Sequence, residues 1–262
     1  MIYEYSKSIF TGQTLEVYRY ERAPKVATGV RRRLPKETDS SGDGPPVKRR
    51  WDNIRRLRRG FLRLVQSQLS ANGAPSFATL TFAANVPLDP ALLCFREFTK
   101  LLRQELGASV SYIAVPEFQK RGATHFHVLF WGIGDDLVKN ERYSRYLQSI
   151  WARGYLDIIP TDGSPKLAGY MAKYMQKALH DDRLLKRRAY YPSRNVVRPV
   201  LYKTAAIANY AKEVLDARLE LVSEKVYSTE WLGQGSYEVY NVIPIGTEDT
   251  LDSILEENIV PK

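Results

Sequence analysis

The sequence predicts an α+β domain built on a mostly antiparallel sheet. Two observations lead there. The elements run strand, helix, hairpin, helix, strand, helix through the middle of the chain, and the two most apolar strand-like runs are separated only by the hairpin-length connection KRGA. With 262 residues, 44% of them hydrophobic, the chain is long enough for one large domain or one domain with extensions.

The elements follow in order. Met1 to Tyr20 read as short strand-like pieces, and Ala23 to Pro46, rich in Pro, Gly, Ser, Asp and Arg, as a loop or disordered arm. In PVKRRWDNIRRLRRGFLRLVQSQLSANG the residues Trp51, Ile54, Leu57, Phe61, Leu64 and Val65 recur at helical spacing while arginines fill the other faces. A basic amphipathic helix ending near Gly73 is predicted, with Arg55, Arg56, Arg58 and Arg59 offered to phosphates and Trp51 or Phe61 available to stack on a base. PSFATLTFAA reads as a strand; LDPALLCFREFTKLLRQELG reads as a helix opening at Asp89, with Pro90 in its first turn, and closing at Gly107. SYIAVPEFQ and THFHVLFWG form the hairpin. RYSRYLQSIWARG reads as helix, YLDIIP as strand and SPKLAGYMAKYMQKALHDD as helix. The expected division is an arm at 1–46, a central domain at 47–212 and an acidic extension at 213–262, where KVYSTEWLGQGSYEVYNV looks like strand and turn.

Charge narrows the partner. The net charge is +10, yet residues from Glu213 onward carry −8, so the preceding part carries +18. A cationic body of that size points to a polyanion, most simply nucleic acid. No stretch approaches the roughly 20 apolar residues of a membrane span, so no membrane partner is expected. The start lacks signal-peptide order and Cys94 has no intramolecular partner, which together predict a reducing cytoplasmic setting.

Two of the three histidines, His125 and His127, stand two apart in a strand, so their imidazoles share one face while Phe126 and Val128 take the other. With so few histidines, chance would give this spacing in only a few per cent of such chains, about the level at which composition stops being an explanation. The preceding strand offers Glu117 or Gln119 as an oxygen donor on the facing side of the hairpin, Glu117 being the better because a carboxylate adds charge. Two imidazoles and one oxygen leave positions open on an ion able to polarise a phosphoryl oxygen. Magnesium or manganese suits phosphate chemistry, although zinc would also accept the histidines.

Tyr170 and Tyr174 lie four apart on one helix face, each followed three residues later by a lysine, Lys173 and Lys177. A phenol titrates near 10 and becomes a useful nucleophile only beside cations or a polarised substrate.

LTF at Leu80 to Phe82, HFH at His125 to His127 and YMAKY at Tyr170 to Tyr174 resemble, in order, the three motifs of rolling-circle replication initiators, the HUH endonucleases of small phages and plasmids. The tyrosine pair resembles the two-tyrosine class that includes gene A proteins of isometric phages. The resemblance runs from about Asn53 to Tyr202, through EFQKRGATHFH, IWARGYLDI and AYYPSRNVVRP. It implies a ferredoxin-like sheet whose central strands carry the histidines opposite a helix carrying the tyrosines. It further implies that His125, His127 and Glu117 hold a divalent ion and that Tyr170 and Tyr174 attack DNA phosphodiesters. Lys173, Lys177, Arg194 and Arg198 would hold phosphates. The implied partners are single-stranded DNA at a replication origin, a host polymerase and, since the sequence has no Gly-x-x-x-x-Gly-Lys-Ser/Thr loop, a host helicase. The implied chemistry leaves a covalent protein–DNA linkage. Two other readings remain open at this level: a two-tyrosine transposase of the rolling-circle type, and a non-catalytic basic nucleic-acid-binding protein with structural histidines.

Overall fold

The computed structural model describes residues 5–23, 47–119, 122–179, 181–184, 187–202 and 219–243. The arm expected between Ala23 and Pro46 lies almost wholly outside these residues, as do 213–218 and 244–262 of the expected acidic extension. The chain divides into two compact units, Val47–Arg198 and a second made of Met1–Pro46 with Pro199–Lys262.

In the Val47–Arg198 unit, β3 (Ser76–Phe82), α2 (Leu88–Leu106), β4 (Ser111–Phe118), β5 (Thr124–Trp131), α4 (Glu141–Trp151) and β6 (Gly154–Pro160) form a βαββαβ sequence of elements. The sheet order is β6-β3-β5-β4-β7, all neighbours antiparallel, with β7 (Tyr191–Pro192) added at one edge. Leaving out β7, the order is fourth, first, third, second, the ferredoxin-like arrangement, so the expected α+β class with an antiparallel sheet is what the chain forms. A helix, α1 (Val47–Asn72), precedes it, a short α3 (Asp135–Lys139) that the sequence did not announce lies before α4, and α5 (Lys166–Leu179) follows β6.

Strand alternation makes two cores. On one face Ala78, Leu80, Phe82, Phe126, Val128, Phe130, Leu156 and Ile158 pack with Phe95, Phe98 and Leu102 of α2 and Leu147 and Trp151 of α4. On the other, Ile113, Val115, Leu129 and Trp131 meet Phe61, Leu64, Val65 and Leu69 of α1 and Met171, Ala172 and Met175 of α5. The central strand β5 is therefore sealed on both sides over Val128 to Trp131.

Two local expectations are corrected. α2 starts at Leu88 with Pro87 in the N-cap position and no side-chain cap, while Asp89 sits in the first turn and pairs with Arg187 at 2.8 Å. Pro90 fits there because the first turn has no use for its missing N–H. Phe61 is fully buried against Tyr190, with ring centroids 5.1 Å apart, so it has no face to offer a base. The Trp51 side chain lies outside the described residues.

Gly154 sets where β6 begins. It stands opposite Phe82 at φ 156°, and a Cβ there would run into Thr81 O and Ala83 N, so only glycine lets β6 close directly on β3.

In the other unit, β1 (Tyr5–Phe10), β2 (Thr14–Tyr20), β8 (Val200–Tyr202), β9 (Leu219–Thr229) and β10 (Gly233–Val242) form a second antiparallel sheet in the order β8-β1-β2-β10-β9. The strand-and-turn stretch foreseen after residue 213 thus shares a sheet with the strand pieces foreseen before Tyr20. Leu15, Val17 and Tyr240 form its core. The half-buried hydroxyls of Tyr18 and Tyr237 both donate to Glu16 Oε2 at 2.8 Å, which satisfies a carboxylate taken out of water.

Candidate nuclease site

Register brings the expected residues together. Glu117 of β4 pairs with His125 of β5, and His125 pairs with Thr81 of β3; one step along, Val115, His127 and Thr79 form the next row. Cα partners in a ladder share a face, so Glu117, both histidines and both threonines point to the side that α5 covers. The imidazole centroids are 4.7 Å apart.

Helix α5 aims its tyrosines here because its other face is apolar. Leu167, Ala168, Met171, Ala172, Met175 and Ala178 are buried at helical spacing, leaving Tyr170 and Tyr174 at the margin of that stripe, over the histidines. The Tyr174 ring stacks on His127 with centroids 3.7 Å apart, and the two phenol oxygens are hydrogen-bonded at 2.5 Å. Phe77 closes the cluster, lying parallel to His127 at 5.8 Å and edge-on to Tyr170 at 5.8 Å. The two phenols differ in access. Tyr170 is 43% exposed, whereas Tyr174 is half-buried.

The electrostatics follow from burial. Both imidazoles are driven toward the neutral form, first by desolvation; His125 falls to about 4, while the Glu117 carboxylate opposes but does not cancel the fall at His127. Burial pushes the Glu117 carboxyl up, but hydrogen bonds from Lys177 and His127 outweigh it and hold the carboxyl below its usual range. Burial and the hydrogen bond with Tyr170 raise Tyr174, so at neutral pH it carries its proton.

His127 Nε2 lies 2.8 Å from Glu117 Oε2, and Lys177 Nζ pairs with the other carboxylate oxygen. Thr81 Oγ1 is 3.0 Å from His125 Nδ1, and Thr79 Oγ1 is 3.5 Å from His127 Nδ1. Among the described residues no group of three His, Cys, Asp or Glu side chains stands ready as a metal cage, because Glu117 is engaged by His127 and Lys177. The donor set nonetheless fits a divalent ion: two neutral imidazoles, one carboxylate kept ionised, and a threonine hydroxyl that orients His125 through the opposite ring nitrogen.

Of the other expected residues, Lys173 is exposed on α5. Arg194 and Arg198 are exposed in the segment after β7, which Val197 N ties to Gln68 of α1 at 2.8 Å. Arg55 and Arg59 are exposed on α1, the helix that packs beside α5. No hydrogen bond or ion pair among the described residues joins these four arginines to the His–Glu–Tyr cluster. Gln119, the alternative oxygen donor, lies past the end of β4, where its N–H donates to Ala123 O at 3.0 Å. Phe77, Thr79 and Thr81 were not foreseen as site residues. Their signal was present in the alternation of β3, where two threonines interrupt an otherwise apolar strand on one face only.

Residues 75–179, less than half of the chain but all of the stretch from β3 to α5, match the model of a family described as replication-associated protein, of the ORF2 type. No curated protein and no solved structure matches the chain. The match covers Glu117, both histidines and both tyrosines, and it supports a replication initiator.

Proposed function

We propose that this chain is a replication initiator endonuclease that nicks single-stranded DNA at a rolling-circle origin by tyrosine transesterification. The observation that carries the reading is the meeting of two hydrogen-bonded phenols with a histidine pair and a carboxylate on one sheet face, Tyr174 lying directly on His127. A structural histidine pair has no need of two tyrosines from another element. The replication-associated family match over the same residues supports the biological setting.

A divalent ion, magnesium or manganese, held by His125, His127 and Glu117 would polarise the scissile phosphate and offset the charge that develops on it. The chain's own residues do the rest. Phe77 and His127 hold the Tyr174 ring, and the Tyr170 hydroxyl holds its oxygen, so the nucleophile is fixed before substrate arrives. A phenol oxygen bonds to phosphorus, the bond from phosphorus to the 3′ oxygen breaks, and the phenolic proton ends on the departing 3′ oxygen. The products are a 5′-phosphotyrosine and a free 3′-OH on which a host polymerase can extend. Lys173 and Lys177, on the solvent side of α5, hold the strand's phosphates. Because the phosphotyrosine conserves the bond, the reverse reaction rejoins ends without ATP. The setting that follows is the cytoplasm of a host cell that supplies helicase and polymerase.

A randomised single-stranded DNA pool, incubated with the protein and either magnesium, manganese or a chelator, tests this. SDS-stable protein–DNA adducts formed only with an ion support the reading. Tight binding without any adduct in any ion would reduce the protein to a non-catalytic DNA binder.

A further inference from the structure

The rows of the site run on past the histidines toward the sheet edge. Thr81 pairs with Tyr155 of β6, Thr79 with Asp157 and Phe77 with Ile159. Leu156 and Ile158 between them point into the core on the other face, so Tyr155, Asp157 and Ile159 share the face of His125 and His127. Helices α1 and α5 pack over β4 and β5 on this face and leave its β6 side uncovered: Tyr155 is 64% exposed, Ile159 49%, and Asp157 is exposed.

An exposed tyrosine two strands from the candidate nucleophiles needs an occupant, and the face is continuous with a site that must seat an unpaired strand. We infer that this β3–β6 half of the face holds nucleotides flanking the scissile phosphate, with Tyr155 stacking on a base and Asp157 accepting a hydrogen bond from the exocyclic amino group of a cytosine. The inference rests on the single-stranded DNA reading above. Asp157 sets the strand's orientation. A carboxylate in the middle of the patch repels phosphates, so the strand lies with bases toward the sheet and backbone toward solvent, where the cationic side chains of α5 are. Turned that way, a cytosine N4 donor suits the carboxylate, and a thymine, presenting a carbonyl at the same position, does not. Gly154 fixes the position of Tyr155 by holding the start of β6 hard against β3.

The test is equilibrium binding of fluorescent oligodeoxycytidylate and oligothymidylate of equal length, in chelator so that nothing is cut. The wild type should bind both and prefer deoxycytidylate. Tyr155→Ala should weaken both by about tenfold, the loss of one stacked base, while Tyr155→Phe binds as the wild type does. Asp157→Ala should bring the two affinities together, chiefly by improving thymidylate. Both positions are exposed, so unchanged melting curves will certify the fold. Binding by Tyr155→Ala equal to wild type would overturn the inference and leave the patch to a protein partner, and a wild type without a deoxycytidylate preference would overturn the role of Asp157. A wild type that binds neither oligomer would overturn the proposed function together with this inference.

Discussion

Thr81 shows how much of the site depends on side chains with no chemistry of their own. Its hydroxyl lies 3.0 Å from His125 Nδ1, and accepting that proton leaves the Nε2 lone pair for an ion. Thr81→Val keeps the shape of the strand and removes the acceptor. Ion-dependent nicking should fall about 10- to 100-fold, restored in part by raising the ion concentration, with the melting temperature nearly unchanged. The imidazoles carry a second expectation, for the metal-free protein. Folded His125 titrates near 4, whereas the unfolded chain takes the proton near 6.5, so the unfolded state binds more protons between those values. Stability is therefore full above about pH 6.5 and declines as pH falls toward 4, with Glu117 adding to the loss below its unfolded value of about 4.3. In chelator, His125→Gln should flatten the melting-temperature profile between about pH 6.5 and 4; a profile as steep as wild type would place the acid sensitivity elsewhere.

At the scale of elements, the strands and helices that carry the chemistry were legible because their periodicity is clean. β5 shows alternation at His125 and His127 before it becomes wholly apolar, and α5 shows Leu167, Met171 and Met175 at helical spacing. Glu117 could be placed opposite the histidines because a short hairpin connection restricts the register. The hydrogen bonds from threonine to histidine were not legible, because they depend on β3 entering the sheet between β5 and β6, a long-range pairing that no local pattern reports. The same is true of Phe61: helical spacing marked it as apolar, but only packing showed that the apolar stripe of α1 faces the sheet and leaves Arg55, Arg56, Arg58 and Arg59 outside. Those four exposed arginines exceed what solubility requires. Neutralising all four should weaken single-stranded DNA binding and lower the slope of log affinity against log salt by up to about 3, while adduct chemistry at saturating DNA persists. An unchanged slope would make α1 a structural helix with a solvated face.

For the whole molecule, the division of labour is the main consequence. Both cores of the ferredoxin-like sheet, and every residue of the candidate site, lie within Val47–Arg198, and the family match from 75 to 179 falls inside the same span. A truncated protein of residues 47–198 should therefore fold cooperatively and form the covalent adduct, with any loss confined to affinity or origin choice. Failure to fold alone would show that the second sheet completes the first. The acidic surplus after Glu213 sits in a chain of net charge +10. Among the described residues no helix is long and apolar enough to cross a membrane, in keeping with an α1 whose length is spent on arginine.

The central claim is that the hydroxyls of Tyr170 and Tyr174, 2.5 Å apart over the histidines, are the atoms that take the DNA. Mass-spectrometric mapping of the DNA-linked peptide, after reaction of the full-length protein with the randomised single-stranded pool and manganese, tests it most directly. The account expects adducts on both tyrosines, each single Phe variant keeping adduct on the remaining one and the double variant forming none. Adducts confined to one tyrosine would contradict alternation between the two, and an adduct that survives in the double variant would contradict the site itself.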